Sequence, residues 1–453
     1  MTTLLTRKDG GTRTRQTLPI AGLALVIALV VQFLGELDID LGVGSVIVFP
    51  MVWGLLLGLL VSLQRVRPLG LPLQKVAAAL VGVAVMLLVA RLAFNIGPSL
   101  PTLAEAGPAL LLQEIGHLLG TVAVALPLAV ALRMGSATVG ATFSLDREPS
   151  FAMVSEKYGP DSDQYRGVLA MYVFGTMFGA VFITLLTSLV ANWNIFDPLA
   201  LAMGAGVGSG SMMAASSASI VAAHPGDEQA ILGMAAVSNL ITTILGVYAG
   251  IYVALPLADR FYRFLTRRRR EGGPAGDTPG GGGAPGSRQE DGAAGNRAFR
   301  EDVAAASGEV RIPLPLSLGA LTVLGVGTAS VAAGHVGRDI VGGYGVLLAL
   351  VLSGLFLARV SRKVSAIVWI TTVGAYVSSP WFFASGTLNR LVGSVDFLSI
   401  ATIMLTLAGL SLGKDLPLLR RIGWKIVPVG LVAITASFLL SVVIAEFTLG
   451  AWG

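Results

Sequence analysis

Apolar runs of about 20 residues recur along the whole chain, and nothing else in the sequence restricts its fold so strongly. They cover 18–35, 44–64, 76–94, 108–132, 167–191, 229–257, 313–334, 342–360, 364–384, 396–413 and 426–447. A helix of that length spans the roughly 30 Å hydrocarbon layer of a bilayer. Charged residues make up only 13% of the 453 and hydrophobic residues 54%, about half the charge that a soluble domain needs to hold its surface in water. The 57 glycines suit helices that approach one another closely. The expected fold is therefore an all-α polytopic membrane protein with about 11 transmembrane helices. The net charge of +5 gives no sign of a nucleic-acid partner, because the cations sit in short loops where membrane topology accounts for them. Cysteine is absent, which excludes disulfides, thiolate metal sites and cysteine nucleophiles. Neither a metal nor a cofactor is expected.

Lysine and arginine collect in cytoplasmic loops, so each loop can be given a side. Arg7, Lys8, Arg13 and Arg15 place the tail 1–17 in the cytoplasm, and the segment after it reads as a retained, anchoring helix because no small-residue cleavage site follows Leu34. The acidic connection at 36–40 and the cation-free stretch 95–107 read as outside, whereas Arg65, Arg67 and Lys75, and later Arg133, Arg147, Lys157 and Arg166, read as inside. The polar stretch 259–312 opens with Arg267 to Arg270 and is rich in Gly and Pro, so a disordered cytoplasmic linker is expected there. It separates N-terminal helices at 18–107 and a core at 108–258 from a C-terminal scaffold at 313–447.

Two segments do not fit a simple count of crossings. If 197–224 crossed fully, the following helix would carry the four arginines outside. The stretch Met203-GAGVGSGSMMAASSAS-Ile220 is also too rich in Gly and Ser for an unbroken lipid-facing helix, and irregular backbone survives at membrane depth only where protein or a wet cavity encloses it. A re-entrant hairpin with its tip near Gly206–Gly210 resolves both points. The segment 134–160 has the same plan from the inside: Met134-Gly and small residues, a short amphipathic piece, a turn at Tyr158–Asp161 and a long apolar helix, against Met203-Gly, a short piece, a turn at His224–Asp227 and a long apolar helix. Two such hairpins facing opposite ways are what an inverted-topology repeat looks like in sequence, and they point to a transporter's binding site.

The stretch Val139-GATFSLDREPSFAMVSEKYGPDSDQYRGVLAMYVFG-Thr176 resembles an uncharacterised bacterial membrane family, domain of unknown function 3100. More distantly, the 135–257 region is similar to sodium–glutamate symporters, in which a Gly-Ala-Thr stretch, a short helix, a Tyr-Gly-Pro turn and a small-residue helix follow in the same order. The second resemblance implies an elevator-type carrier, with two opposed hairpins meeting around a midplane site in the inner membrane. Asp146-Arg147-Glu148 stands where those symporters have small and hydroxyl residues, which leaves both glutamate as substrate and sodium as coupling ion open.

Hairpin tips suit solute binding because half-helix N-termini aim N–H groups at anions and unwound carbonyls attract cations. The candidate substrate-binding residues are Gly140, Thr142, Ser144 and Arg147 on the inner hairpin, Gly208, Ser209, Gly210 and Ser211 on the outer one, and Asn239 in the helix that follows. Arg147 is suited to a substrate carboxylate. Asp146 and Glu148 are candidates for the coupling ion; the alternative is that the three charges form a polar loop at the rim. The small residues equally suit close helix packing. Glu114 and His117 lie three apart on one helix face, a spacing that suits a proton relay, a metal or an interfacial polar contact. Arg91, near the end of its run, is expected to extend to the surface, and Asp415 to pair with Lys414 at an exposed helix end.

The function expected is a secondary active transporter of a small organic anion or amino acid, coupled to H⁺ or Na⁺ and working by alternating access. Its partners would be the solute, the coupling cation, the lipid bilayer and a second copy of the chain in a homodimer. Two alternatives remain open: an intramembrane enzyme centred on Glu114 and His117, and a pore or membrane scaffold.

Overall fold

The computed structural model describes residues 8–40, 45–143, 149–271, 295–301, 310, 312–362, 364–415 and 422–452. The fold is all-α, and among the described residues nine helices are long and apolar enough to cross a membrane. The chain is a polytopic membrane protein.

Helix α1 (Lys8–Leu34) leads into two short antiparallel strands, Leu37–Asp40 and Ser45–Val48, with Leu37 opposite Val48. Helices α2 (Pro50–Leu63), α3 (Leu71–Ile96), α4 (Leu100–Glu105) and α5 (Gly107–Ala131) follow. Next come the short helices α6 (Ala137–Thr142) and α7 (Pro149–Tyr158), then the long α8 (Asp163–Asn192). The short helices α9 (Pro198–Ala205) and α10 (Gly210–Ala223) precede α11, which runs over 228–271. A helical segment α12 at 295–301 is followed by α13 (Leu314–Ala333), α14 (Arg338–Ser361), α15 (Ala366–Ser378), α16 (Ser385–Gly393), α17 (Phe397–Ser411) and α18 (Ile426–Trp452).

Two of the expected crossings are short. The run at 44–64 opens as a strand, and its helix starts only at Pro50, whose ring suits a first helical position after the extended Phe49. The run at 364–384 stops at Ser378, because Pro380 cannot continue the helix and holds Ser379 extended (φ −70°, ψ 156°).

Small residues set the closest helix approaches. Gly54 and Gly58 of α2 face Thr406 of α17, while Gly409 of α17 faces the Leu55 carbonyl. Gly116 and Gly120 of α5 lie against the α18 backbone at Leu440–Ser441 and Ala436. Lipid provides no hydrophobic drive between helices, and such close contact supplies dispersion attraction in its place.

Both segments singled out as hairpins are broken, and they hang from opposite ends of α8. At 30 residues, α8 is roughly 45 Å long. Each pair is followed by a long helix with a π-helical bulge, at Gly175–Gly179 in α8 and Gly250–Ala254 in α11; α5 has a third at Thr121–Ala125. In both units the first short helix packs on the long helix that follows, α6 on α8 and α9 on α11, and both first arms also touch α18. The last helix of the chain is thus built into the core, beyond the scaffold role expected of the C-terminal half.

Part of the polar stretch 259–312 is also built in. Asn296 and Phe299 of α12 are buried. Arg300 and Arg297 pair with Asp161 at 3.0 and 3.5 Å, and the Asn296 amide donates to Asp163 Oδ1 (2.8 Å) and to the Asp161 carbonyl (3.1 Å). The Arg166 guanidinium lies over the Phe299 ring, 5.6 Å from its centre. Helix α12 therefore docks on the turn between α7 and α8.

Candidate functional site

The best-formed polar tip belongs to the second unit. Gly208 has φ +84°, a left-handed conformation suited to glycine, and it turns the chain between α9 and α10. Ser209 caps α10: its hydroxyl accepts from the Met212 N–H (3.4 Å) and lies 2.9 Å from the Ser211 hydroxyl. Asn239 of α11 fastens the turn, its amide donating to the carbonyls of Gly206 (2.7 Å) and Gly208 (3.3 Å), and the Ser238 hydroxyl donates to the Met203 carbonyl (2.7 Å). The structure thus brings Gly208, Ser209, Gly210, Ser211 and Asn239 together. Carbonyls expected to be open to a cation are already engaged by α11. Asn239 and Thr243 also border a narrow cleft completed by Leu92, Met213 and Thr371. The second arm, α10, lies along α8, with the Ser219 hydroxyl donating to the Thr184 carbonyl (3.2 Å).

In the first unit, Gly140 faces the Gln164 carbonyl and Gly167 faces the Ala137 carbonyl, so both serve the contact between α6 and α8. Thr142 is fully buried and turns its hydroxyl back to the Thr138 carbonyl (2.9 Å). These two residues serve helix packing in this structure. Ser144, Asp146, Arg147 and Glu148 lie outside the described residues.

Glu114 and His117 form a second polar centre, deep between helices. Each is about 4% exposed, and Gln113 and Thr121 beside them are fully or almost fully buried. His117 Nδ1 is 2.6 Å from the Ser437 hydroxyl of α18, and the Ser441 hydroxyl donates to the Gln113 carbonyl (3.1 Å). On the α11 side, a Cβ placed on Gly246 would stand 3.4 Å from Glu114 Oε1 and 3.9 Å from Thr242. Helices α11 and α18 pack against the pair, and the His117–Ser437 contact joins α5 to α18. Among the described residues, no three of His, Cys, Asp and Glu come together as a metal-ligand set.

Arg91 departs from expectation. Only 7% exposed, it donates through Nε to the Val395 carbonyl (2.8 Å) and through Nη1 to Asn95 Oδ1 (3.0 Å), with Asp396 and Glu228 contributing opposing charge. A guanidinium this deep is held by satisfied donors and nearby carboxylates. Lys414 and Asp415 do pair, at 2.7 Å, but with side chains only 12% and 8% exposed.

One comparison with known proteins gives a match. A family described as protein of unknown function (DUF3100) matches residues 29–264, just over half of the chain. The chain belongs to the DUF3100 family. The DUF3100 match takes in both broken-helix units, Glu114, His117 and Asn239, and ends within α11. No curated protein and no solved structure matches the chain.

Proposed function

We propose that this DUF3100 protein is a secondary active transporter of a small organic anion or amino acid, coupled to a gradient of H⁺ or Na⁺. The observation that carries the reading is the pair of broken short-helix units attached to opposite ends of α8, each leading into a long helix with a π-bulge. Broken helices in opposed repeats are the arrangement from which carriers build a midplane site. The Gly208–Ser211 tip adds hydroxyls and the N-terminus of the 14-residue α10, which favours an anionic or zwitterionic solute. Alternating access would follow from one broken unit moving against the remaining helices, in the elevator manner. The reading places the N-terminus in the cytoplasm and the protein in a bacterial inner membrane, as a homodimer.

Uptake of radiolabelled organic acids and amino acids into proteoliposomes tests it. Saturable uptake that requires an imposed proton or sodium gradient is expected for at least one solute. Flux that is gradient-independent and non-saturating would overturn the proposal in favour of a pore.

A further inference from the structure

Helix α5 ends in a left-handed turn, with Arg133 at φ +57° and Gly135 at φ +66°. The Met134 N–H donates back to the Ala129 carbonyl (3.1 Å) and closes the turn. Lys425, the residue before α18, donates from Nζ to the Arg133 carbonyl (3.3 Å). Two cations thus stand where two membrane-length helices, α5 and α18, meet end to start. The continuation of α11 beyond the membrane forms a further wall. Its Tyr262 and Thr266 line, with Val130, Arg133 and Gly135, a cavity of 370 Å³, within the range of small-ligand pockets. Among the described residues, neither Arg133 nor Lys425 takes part in an ion pair. Asp259, one turn before Tyr262, is engaged by Arg263. At the end of α5 a cation offsets the negative pole of the helix. At the start of α18 the lysine adds to the positive pole, and the first turn there has no acidic residue. The sequence then runs from Thr266 straight into Arg267–Arg270. The potential around the cavity is positive, and an anion neutralises it.

We propose that this pocket holds the phosphate of an anionic phospholipid, an assignment independent of the carrier reading. Basic pockets between membrane helices bind acidic headgroups in this way. Arg133 presents a guanidinium whose paired N–H groups match two phosphate oxygens, and Lys425 supplies a second charge. Tyr262 adds a hydroxyl donor at the wall. Three observations favour a lipid over free phosphate. The cavity lies where α5 and α18 leave the hydrocarbon layer, so acyl chains have apolar surroundings directly beside the headgroup. Val130 gives the cavity an apolar wall. Trp424, next to Lys425, is exposed, as are the aromatic residues that anchor helices at the boundary of water and lipid. A phospholipid seated here bridges the end of α5, the continuation of α11 and the start of α18.

Native mass spectrometry of the full chain in detergent, titrated separately with phosphatidylglycerol and phosphatidylcholine, tests this. The wild type is expected to bind phosphatidylglycerol more tightly, and an equal concentration of inorganic phosphate should not displace it. The double variant Arg133→Gln, Lys425→Gln should weaken phosphatidylglycerol binding roughly 30-fold, from the usual contribution of each cation near an anionic surface. Binding of phosphatidylcholine should be unchanged in that variant. Arg65→Gln with Arg67→Gln removes two exposed cations from the loop between α2 and α3 and should leave phosphatidylglycerol binding as it is. Equal affinity of the wild type for the two lipids would overturn the proposal. So would an equal loss in the Arg65 and Arg67 variant, which would mean general surface charge, or displacement by inorganic phosphate. If the Arg133 and Lys425 double variant does not fold, Arg133→Gln decides alone: an unchanged affinity overturns the proposal.

Discussion

Asn239 shows how much of the turn between α9 and α10 depends on one side chain. Its amide holds the carbonyls of Gly206 and Gly208 on either side of the turn, and both glycines are buried. Asn239→Ala should therefore cost about 1–3 kcal/mol, the penalty for leaving buried acceptors unmet. Thermal unfolding in detergent measures this, and an unchanged melting temperature would contradict the role. Glu36, on the connection after α1, makes a prediction about pH. Partial burial and then the negative charge of Asp396 hold its carboxyl above the ordinary carboxylate value. The native protein then binds the proton more tightly than the unfolded chain does. Stability should fall as pH rises from the ordinary value to the raised one, and level off above it. Glu36→Gln should flatten that slope in unfolding scans at stepped pH; an identical slope in both proteins would refute the assignment. At this scale, spacing in the sequence placed Glu114 and His117 on one helix face. Their burial was not legible, because it is imposed by Ser437 and Ser441, more than 300 residues further on. The burial of Arg91 was not legible for the same reason: its partner is the Val395 carbonyl, and only the folded chain brings that carbonyl to the end of α3.

Among the elements, the long apolar helices were legible because hydropathy over about 20 residues is a strong signal. So were the two breaks, since Gly-Ser runs and proline turns interrupt a helix for local reasons. The π-bulges at Thr121–Ala125, Gly175–Gly179 and Gly250–Ala254 were not. One residue of extra winding leaves no mark on composition, and such bulges are frequent at functional sites. Helix α12 is the element that most departs from its composition. Its own sequence would not hold a helix of this length in isolation, and tertiary contacts with Asp161, Asp163 and Arg166 supply the stability instead. Asp161→Ala should release it. Hydrogen exchange followed by mass spectrometry is expected to show faster exchange across 295–301 in that variant, with α8 unaffected. Equal protection in both proteins would mean that Phe299 burial alone holds the segment.

For the whole molecule, the arrangement divides into helices that lock together and helices that interrupt themselves. The contact of α2 with α17 through Gly54, Gly58 and Gly409 is tight and continuous, as a fixed frame requires. The units around α6–α7 and α9–α10 are short, broken and joined to bulged helices, as the moving part of the proposed carrier would be. The central claim of the proposed function is that the Gly208–Ser211 tip is reached by water from each side of the membrane in turn. The chain has no cysteine, so Ser211→Cys introduces the sole thiol, at a partly exposed position on that tip. Labelling this thiol with a membrane-impermeant maleimide, in right-side-out and in inside-out vesicles, is the most direct measurement. Alternating access predicts labelling from both sides; reaction from one side alone, whatever gradient is imposed, would contradict it.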